Sequence, residues 1–285
     1  MKIGVCSANS GPYTTRGMLI ALADAAEESG IESIWASEHL VVADPREPPS
    51  PMDPEDPILD PVTSLAFLAG RTETVRLGTG IIVLPLRNPL ILAKELATVD
   101  VLSGGRLIFG IGVGYVEGEF RALGVPFRDR GLRTEDHLAA IRAVWTEEHP
   151  RYAGELFSFG GIQARPRPLQ RPHPPIVMGG YAPAVLRRAV REAVGWYGWG
   201  LEPESVDRYL TALADAGARE PRRNDLGSLE ITVTPPAAVD VDEAVRYAEV
   251  GVDRLNLMLP CTAGPADLTG FFTDVIRPLV EANLG

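Results

Sequence analysis

The chain is poor in the residues that most often advertise a mechanism. Its 285 residues include two cysteines, four histidines and four tryptophans, and only 7% are aromatic. Cys6 and Cys261 are too few for a disulfide framework, and both fall in apparent strands, so two buried structural thiols are favoured over a disulfide. No cysteine–histidine cluster has metal-ligand spacing, so no metal centre is expected. Basic residues are scarce too. The 27 Lys and Arg against 38 Asp and Glu give a net charge of -11, which argues against nucleic acid and anionic membrane as partners. A phosphorylated ligand stays open, because backbone amides at a helix start can bind phosphate. No apolar run reaches membrane length, and the first residues enter a strand without a charged-then-apolar leader, so a cytoplasmic protein is expected.

What is present is a rhythm, clearest over Arg76–Gly114. Leu77–Leu84 is an apolar, β-branched run that reads as a strand buried on both faces. Asn88 can cap a helix with Pro89 in its first turn, and Leu90, Leu92, Ala93, Leu96, Ala97 and Val99 form its apolar face. Ser103-Gly104-Gly105 ends that helix and Leu107–Val113 is a second apolar strand, which completes a βαβ unit. The unit repeats. Further strands are expected at Lys2–Ser7, Ser33–Ala36, Pro175–Met178, Gly195–Gly200, Leu229–Thr234 and Leu255–Leu259, with helices between and a last helix over Leu268–Asn283. Eight βα units in a chain of this length favour an α/β fold of the (β/α)8 TIM-barrel type over the runner-up, an open doubly wound sheet. One domain over residues 1–285 is expected, interrupted by a Pro- and Asp-rich loop at 41–59 and by a hairpin and connector at about 151–175.

In a barrel, chemistry sits at the C-terminal ends of the strands. Of the four histidines only His39 falls there, and a strand-capping imidazole satisfied by a carbonyl is as good a reading as a catalytic one. Glu38 is a second candidate acid, but neighbours in an extended chain face opposite ways, so the two should not share one role. Gly110, Gly112 and Gly114 call either for a flat ligand close to the backbone or for tight barrel packing. The run GIGVGYVEG has the wrong spacing for a dinucleotide fingerprint. Gly179-Gly180, with Ala182 opening a helix, offers free amides to an anion.

Taken together, the chain resembles the luciferase-like monooxygenase superfamily of flavin- and deazaflavin-dependent barrels over nearly its whole length. The resemblance rests on Ser37-Glu38-His39, Leu77–Ile81, Arg87-Asn88-Pro89, Leu102–Arg106, the glycines before Glu119-Phe120, and Pro175–Gly180. Leu84–Pro89 and Gly124–Arg133 are most similar to the subgroup that uses coenzyme F420. The resemblance implies a non-prolyl cis peptide at Gly80–Ile81 behind the ring, with Val83 touching it. It implies Glu38 and His39 as a ring-contacting acid and a catalytic or substrate-facing base. Val113, Gly114 and Tyr115 would line ring and tail, and Met178, Gly179, Gly180 and Tyr181 would form the phosphate turn. Several relatives carry a proton-donating glutamate where Tyr115 stands, so Tyr115 or His39 would take that part; where relatives often have Asp before the Gly-Trp of the sixth strand, this chain has Val194.

The implied function is hydride transfer between F420 and a small organic substrate, with His39, Glu38 and Tyr115 as the catalytic group and the 41–59 loop as part of a lid. The rivals are an FMN-dependent monooxygenase on the same fold and a non-catalytic barrel that only binds the cofactor. The acidic tail of F420 would favour Arg87, Arg165 and Arg167 near the mouth. A homodimer is implied by the family habit.

Overall fold

The computed structural model describes residues 1–220, 222–261, 264–282 and 284. The barrel strands are β1 (Lys2–Cys6), β2 (Ser33–Ala36), β3 (Arg76–Thr79), β4 (Leu107–Gly112), β5 (Ile176–Gly179), β6 (Gly195–Trp199), β7 (Glu230–Thr234) and β8 (Arg254–Met258). Each pairs in parallel with the next. β8 closes the ring on β1, Lys2 opposite Arg254 through Cys6 opposite Met258. That closure excludes the doubly wound alternative.

Helices α1 (Arg16–Ser29), α2 (Pro61–Ala69), α3 (Pro89–Leu102), α4 (Glu117–Ala122), α5 (Arg130–Thr146), α6 (Pro183–Glu192), α7 (Pro203–Arg219), α8 (Val241–Glu249) and α9 (Pro265–Phe271) lie between or after the strands. Side chains cap the first three helices, Asn88 doing so as its place before Pro89 predicts. Thr15 accepts from the Met18 N–H, and Asn88 accepts from the N–H groups of Leu90 and Ile91. Each such cap stabilises its helix by about 1 kcal/mol. Asp60 caps α2 the same way, from the Thr63 N–H.

Three expectations need correction. The third strand is not continuous to Leu84: β3 stops at Thr79, a short segment Ile82–Val83 pairs with β4, and Leu84–Leu86 turns into a 3-10 helix. The break falls at the Gly80–Ile81 peptide, which is cis. The last helix starts at Pro265, because proline suits a first helical position and the Gly264 N–H is taken by Asp267. Its expected end at Asn283 lies outside the described residues. Cys6 is buried as expected, but Cys261 lies past the end of β8 and is exposed.

The barrel is packed rather than hollow. Cys6, Trp35, Ile108, Val177 and Tyr197 fill its interior, with Ile81 above them, while a larger apolar layer joins strands to helices. Burial pushes the Cys6 thiol up to about 12, so it is inert. A recess of about 790 Å³ opens at the N-terminal end of the strands, lined by Lys2, Arg76, Val177, Val194 and Glu230 among others. Lys2 pairs there with Glu230, Arg76 faces Glu32, and no histidine is among its lining residues.

Arg254 seals that end. Its fully buried guanidinium donates to Glu32, Glu230 and Thr232 and lies 5.5 Å from the Trp35 ring. Burial raises the carboxyls of Glu32 and Glu230, but Arg254 outweighs it and holds both below the ordinary glutamate range. A depressed carboxyl contributes stability above its unfolded value and loses it as pH falls through the folded one. The melting temperature should therefore be steady near neutrality and fall below about pH 5. Glu32→Gln should flatten that fall; an equal acid slope in wild type and variant removes this pair as its cause.

Candidate active site

The site assembles where β2, β3, β4 and β5 leave the barrel. His39 lies three residues beyond β2, and its Nδ1 is 2.7 Å from Glu119 Oε1. Glu119 sits in α4 with its side chain only 2% exposed. A buried carboxylate beside Nδ1 fixes the ring and leaves Nε2 for a reactant. Tyr115 meets His39 edge-on, ring centroids 6.4 Å apart. Burial, and then the charge of Glu119, pushes the Tyr115 phenol above its ordinary range, so it keeps its proton at neutral pH and can donate it.

Glu38 does different work. Its carboxylate accepts from the Val83 N–H at 2.6 Å and from Nε of Arg87 at 2.8 Å. Arg87 reaches on to Asp60, the cap of α2. Burial would lower Arg87, but Glu38 and Asp60 outweigh it and raise it. Asp60, raised by burial, ends below the ordinary range through Arg87 and the Thr63 N–H. The network clamps the exit of β3 to the start of α2. As expected of sequence neighbours, Glu38 and His39 face different partners.

The glycines are decided by packing. A Cβ on Gly112 would lie 2.5 Å from Ile81 Cδ1, and one on Gly179 would lie 3.1 Å from Ile81 Cγ2. Gly114, at φ +77, would meet Val83 and Phe120 at 2.6 and 2.7 Å. Ile81 therefore lies across the exits of β4 and β5, and Val83 is wedged against Gly114. Gly80 sits over Trp35 and Tyr197. Val113 is half-buried at the end of β4, and Met178 is buried in the layer against the helices, so only its backbone can face the mouth. Gly180 takes φ +126 and α6 follows, its cap residue Ala182 having no side chain to hold the first amides. Tyr181 is exposed and stacks near Tyr209 at 4.9 Å; burial pushes its phenol up to about 12.

Two features complete the frame. Asn9 ties the 41–59 loop down, donating to Leu59 and Ser37 carbonyls and accepting from the Ser37 N–H. The loop's other side meets α4 through Glu47 and Arg121. Arg130 and Arg133, at the start of α5, each keep a buried Nε without a partner, and Arg188 packs against Gly131 beside them. Of the arginines expected near the mouth, Arg87 is engaged by Glu38 and Asp60, and Arg167 donates to the Glu147 carbonyl past the end of α5 while its own buried Nε, like those of Arg130 and Arg133, keeps no partner. Arg165 gives its carbonyl to Lys94.

Glu119 as the partner of His39 was not legible beforehand, nor was Arg87 as the counter-ion of Glu38. The available signal was an acid next to Phe120 on the buried side of a short helix.

The family model for luciferase-like monooxygenases matches residues 1–274. The chain belongs to the luciferase-like monooxygenase family. Within it, an uncharacterized protein of Mycobacterium tuberculosis is 31% identical over 251 residues, 84% of this chain and 86% of that one. An FMNH(2)-dependent dimethylsulfone monooxygenase of Pseudomonas putida is 35% identical over 139 residues, 48% of this chain and 38% of that one. Among solved structures, an F420-dependent secondary alcohol dehydrogenase superposes with a TM-score of 0.78 at 16% identity, over 99% of this chain and 98% of that one. At that identity the likeness concerns the fold. Members of this family are oxidoreductases, with flavin- and deazaflavin-dependent enzymes both among the similar proteins. Among the described residues no helix is long and apolar enough to cross a membrane, and no group of three or more His, Cys, Asp or Glu could hold a metal ion.

Proposed function

We propose that the chain is an F420-dependent oxidoreductase that holds the deazaflavin across the exits of β3, β4 and β5. The observation that carries the reading is the His39–Glu119 pair, 2.7 Å apart at the C-terminal mouth. When bound, the deazaflavin supplies a two-electron hydride donor or acceptor. The protein's own residues do the rest. Ile81, framed by Gly112 and Gly179, gives the ring an apolar back wall. Glu38 holds the Val83 N–H and so fixes the edge of that wall. Pro183 has no N–H and the Val185 N–H donates to the Ala182 carbonyl, so the Ala184 N–H, with Gly179-Gly180 before it, is the amide of the first turn that suits a phosphate. The orphaned Nε atoms of Arg130 and Arg133 suit an anionic extension. His39, oriented through Nδ1, takes or gives the substrate's proton at Nε2, and Tyr115, whose ring meets His39 edge-on, is a second proton donor.

A second reading, an FMN-dependent monooxygenase, is favoured by the dimethylsulfone monooxygenase, more than a third identical over nearly half of the chain. Fluorescence titration of the purified protein separates the two. Saturable binding of F420, tighter than that of FMN, is the expected outcome; tighter binding of FMN replaces the first reading with the second.

A further inference from the structure

The half of the mouth that the cofactor leaves open has a distinct chemistry. It is built from the last residues of β6 and β8 and the segments that follow β6, β7, β8, β1 and β2, namely residues 199–201, 235–238, 258–261, 7–10 and 37–41. None of these residues is Lys or Arg, and Glu38 and His39 are the only acid and base among them. Glu38 is already bound below by Arg87 and the Val83 N–H. What this half exposes is apolar: Val41, Trp199 and Met258 are 37%, 43% and 41% exposed.

Trp199 is not a frayed strand end. Its N–H donates to the Tyr181 hydroxyl at 2.6 Å, and its carbonyl accepts from that hydroxyl. These backbone bonds hold the strand end, and the large apolar ring it carries stands in contact with water, which costs free energy unless something covers it. The 41–59 loop above adds Asp44, Glu47, Asp53, Glu55 and Asp56 against the single Arg46. An anionic substrate would meet repulsion from the loop and find no Lys or Arg beneath to repay its lost hydration, and the charge of Glu119 already serves His39.

We infer that the substrate subsite of this chain takes a neutral, flat apolar molecule bearing one hydrogen-bonding oxygen or nitrogen for His39 Nε2, and rejects carboxylates and phosphates. The inference rests on the proposed placement of the cofactor over β3–β5, which assigns the remaining half of the mouth to substrate. Trp199, Met258 and Val41 supply the apolar contact, and His39 supplies the single polar anchor.

A matched pair of probes tests it: 2-naphthol and 2-naphthoate, followed by saturation-transfer NMR on the full-length protein, with and without its tighter-binding cofactor. 2-Naphthol should bind roughly tenfold or more tighter than 2-naphthoate. Trp199→Ala should weaken 2-naphthol severalfold, and Met258→Ala should do so if the tryptophan variant does not fold. Equal or tighter binding of the carboxylate overturns the inference, as does a complete lack of 2-naphthol binding, or 2-naphthol binding indifferent to both substitutions. The comparison of the two probes on the wild-type protein needs no variant. Cofactor titration is read separately, so failure of the cofactor reading is seen there and failure of the subsite is seen in the probes.

Discussion

His39→Ala should lower turnover by about 100- to 10,000-fold, the range that a positioned acid or base contributes, while the dissociation constant of the cofactor stays unchanged. The split follows from the geometry. His39 is held from the α4 side by Glu119, and the proposed cofactor contacts come from Ile81, Val83 and the glycine turn before α6, none of which bonds to the imidazole. Glu119→Gln keeps the shape and a hydrogen-bonding group but removes the charge that stabilises an imidazolium, so it should give a smaller loss, carried by kcat. Steady-state kinetics on His39→Ala, Glu119→Gln and wild type, beside a binding titration, checks all three. Wild-type turnover in His39→Ala removes the imidazole from the mechanism. Tight cofactor binding with no turnover in wild type against any tested substrate would favour the binding-only barrel.

The fold was readable because its signals are local and repeated. Apolar β-branched runs, Asn88 before Pro89, and Ser103-Gly104-Gly105 at a helix end each act over a few residues, and each is where the pattern puts it. The site was readable only where position along a strand decides it, as for His39 beyond β2. Glu119 could not be paired with His39 from sequence, because 80 residues separate them and only closure of the barrel brings α4 to the exit of β2. The pairing of Arg87 with Glu38, 49 residues apart, is hidden for the same reason. Cys261 lies outside the barrel because the apolar run before it stops at Leu259, Pro260 intervenes and β8 itself ends at Met258. The glycines of β4 were ambiguous because a missing Cβ has the same letter whether it admits a ligand or Ile81.

Arg87→Ala should be the most destabilising change at the site. It strips a carboxylate whose side chain is 0% exposed of its counter-ion, while Arg87 itself is 15% exposed. Removing one partner of a buried pair costs about 3–5 kcal/mol, because the remaining charge stays desolvated. For a domain of this size each kcal/mol shifts the melting temperature by about 2–4 °C, so a fall of roughly 6–20 °C is expected. Arg87→Lys should recover only part of it, since an ammonium cannot donate in one plane to Glu38 through two nitrogens while reaching Asp60. Replacing Arg87 and Glu38 together by methionine should restore part of the stability, because the fully buried carboxylate is gone, while Asp60, 35% exposed, loses its counter-ion. It should not restore cofactor affinity, because the Val83 N–H loses its acceptor and the edge of the ring's back wall is no longer held. Calorimetry and cofactor titration on the same three variants separate these effects. A melting temperature for Arg87→Ala equal to that of wild type would mean that water reaches Glu38 and that the clamp between β3 and α2 is not what holds Val83.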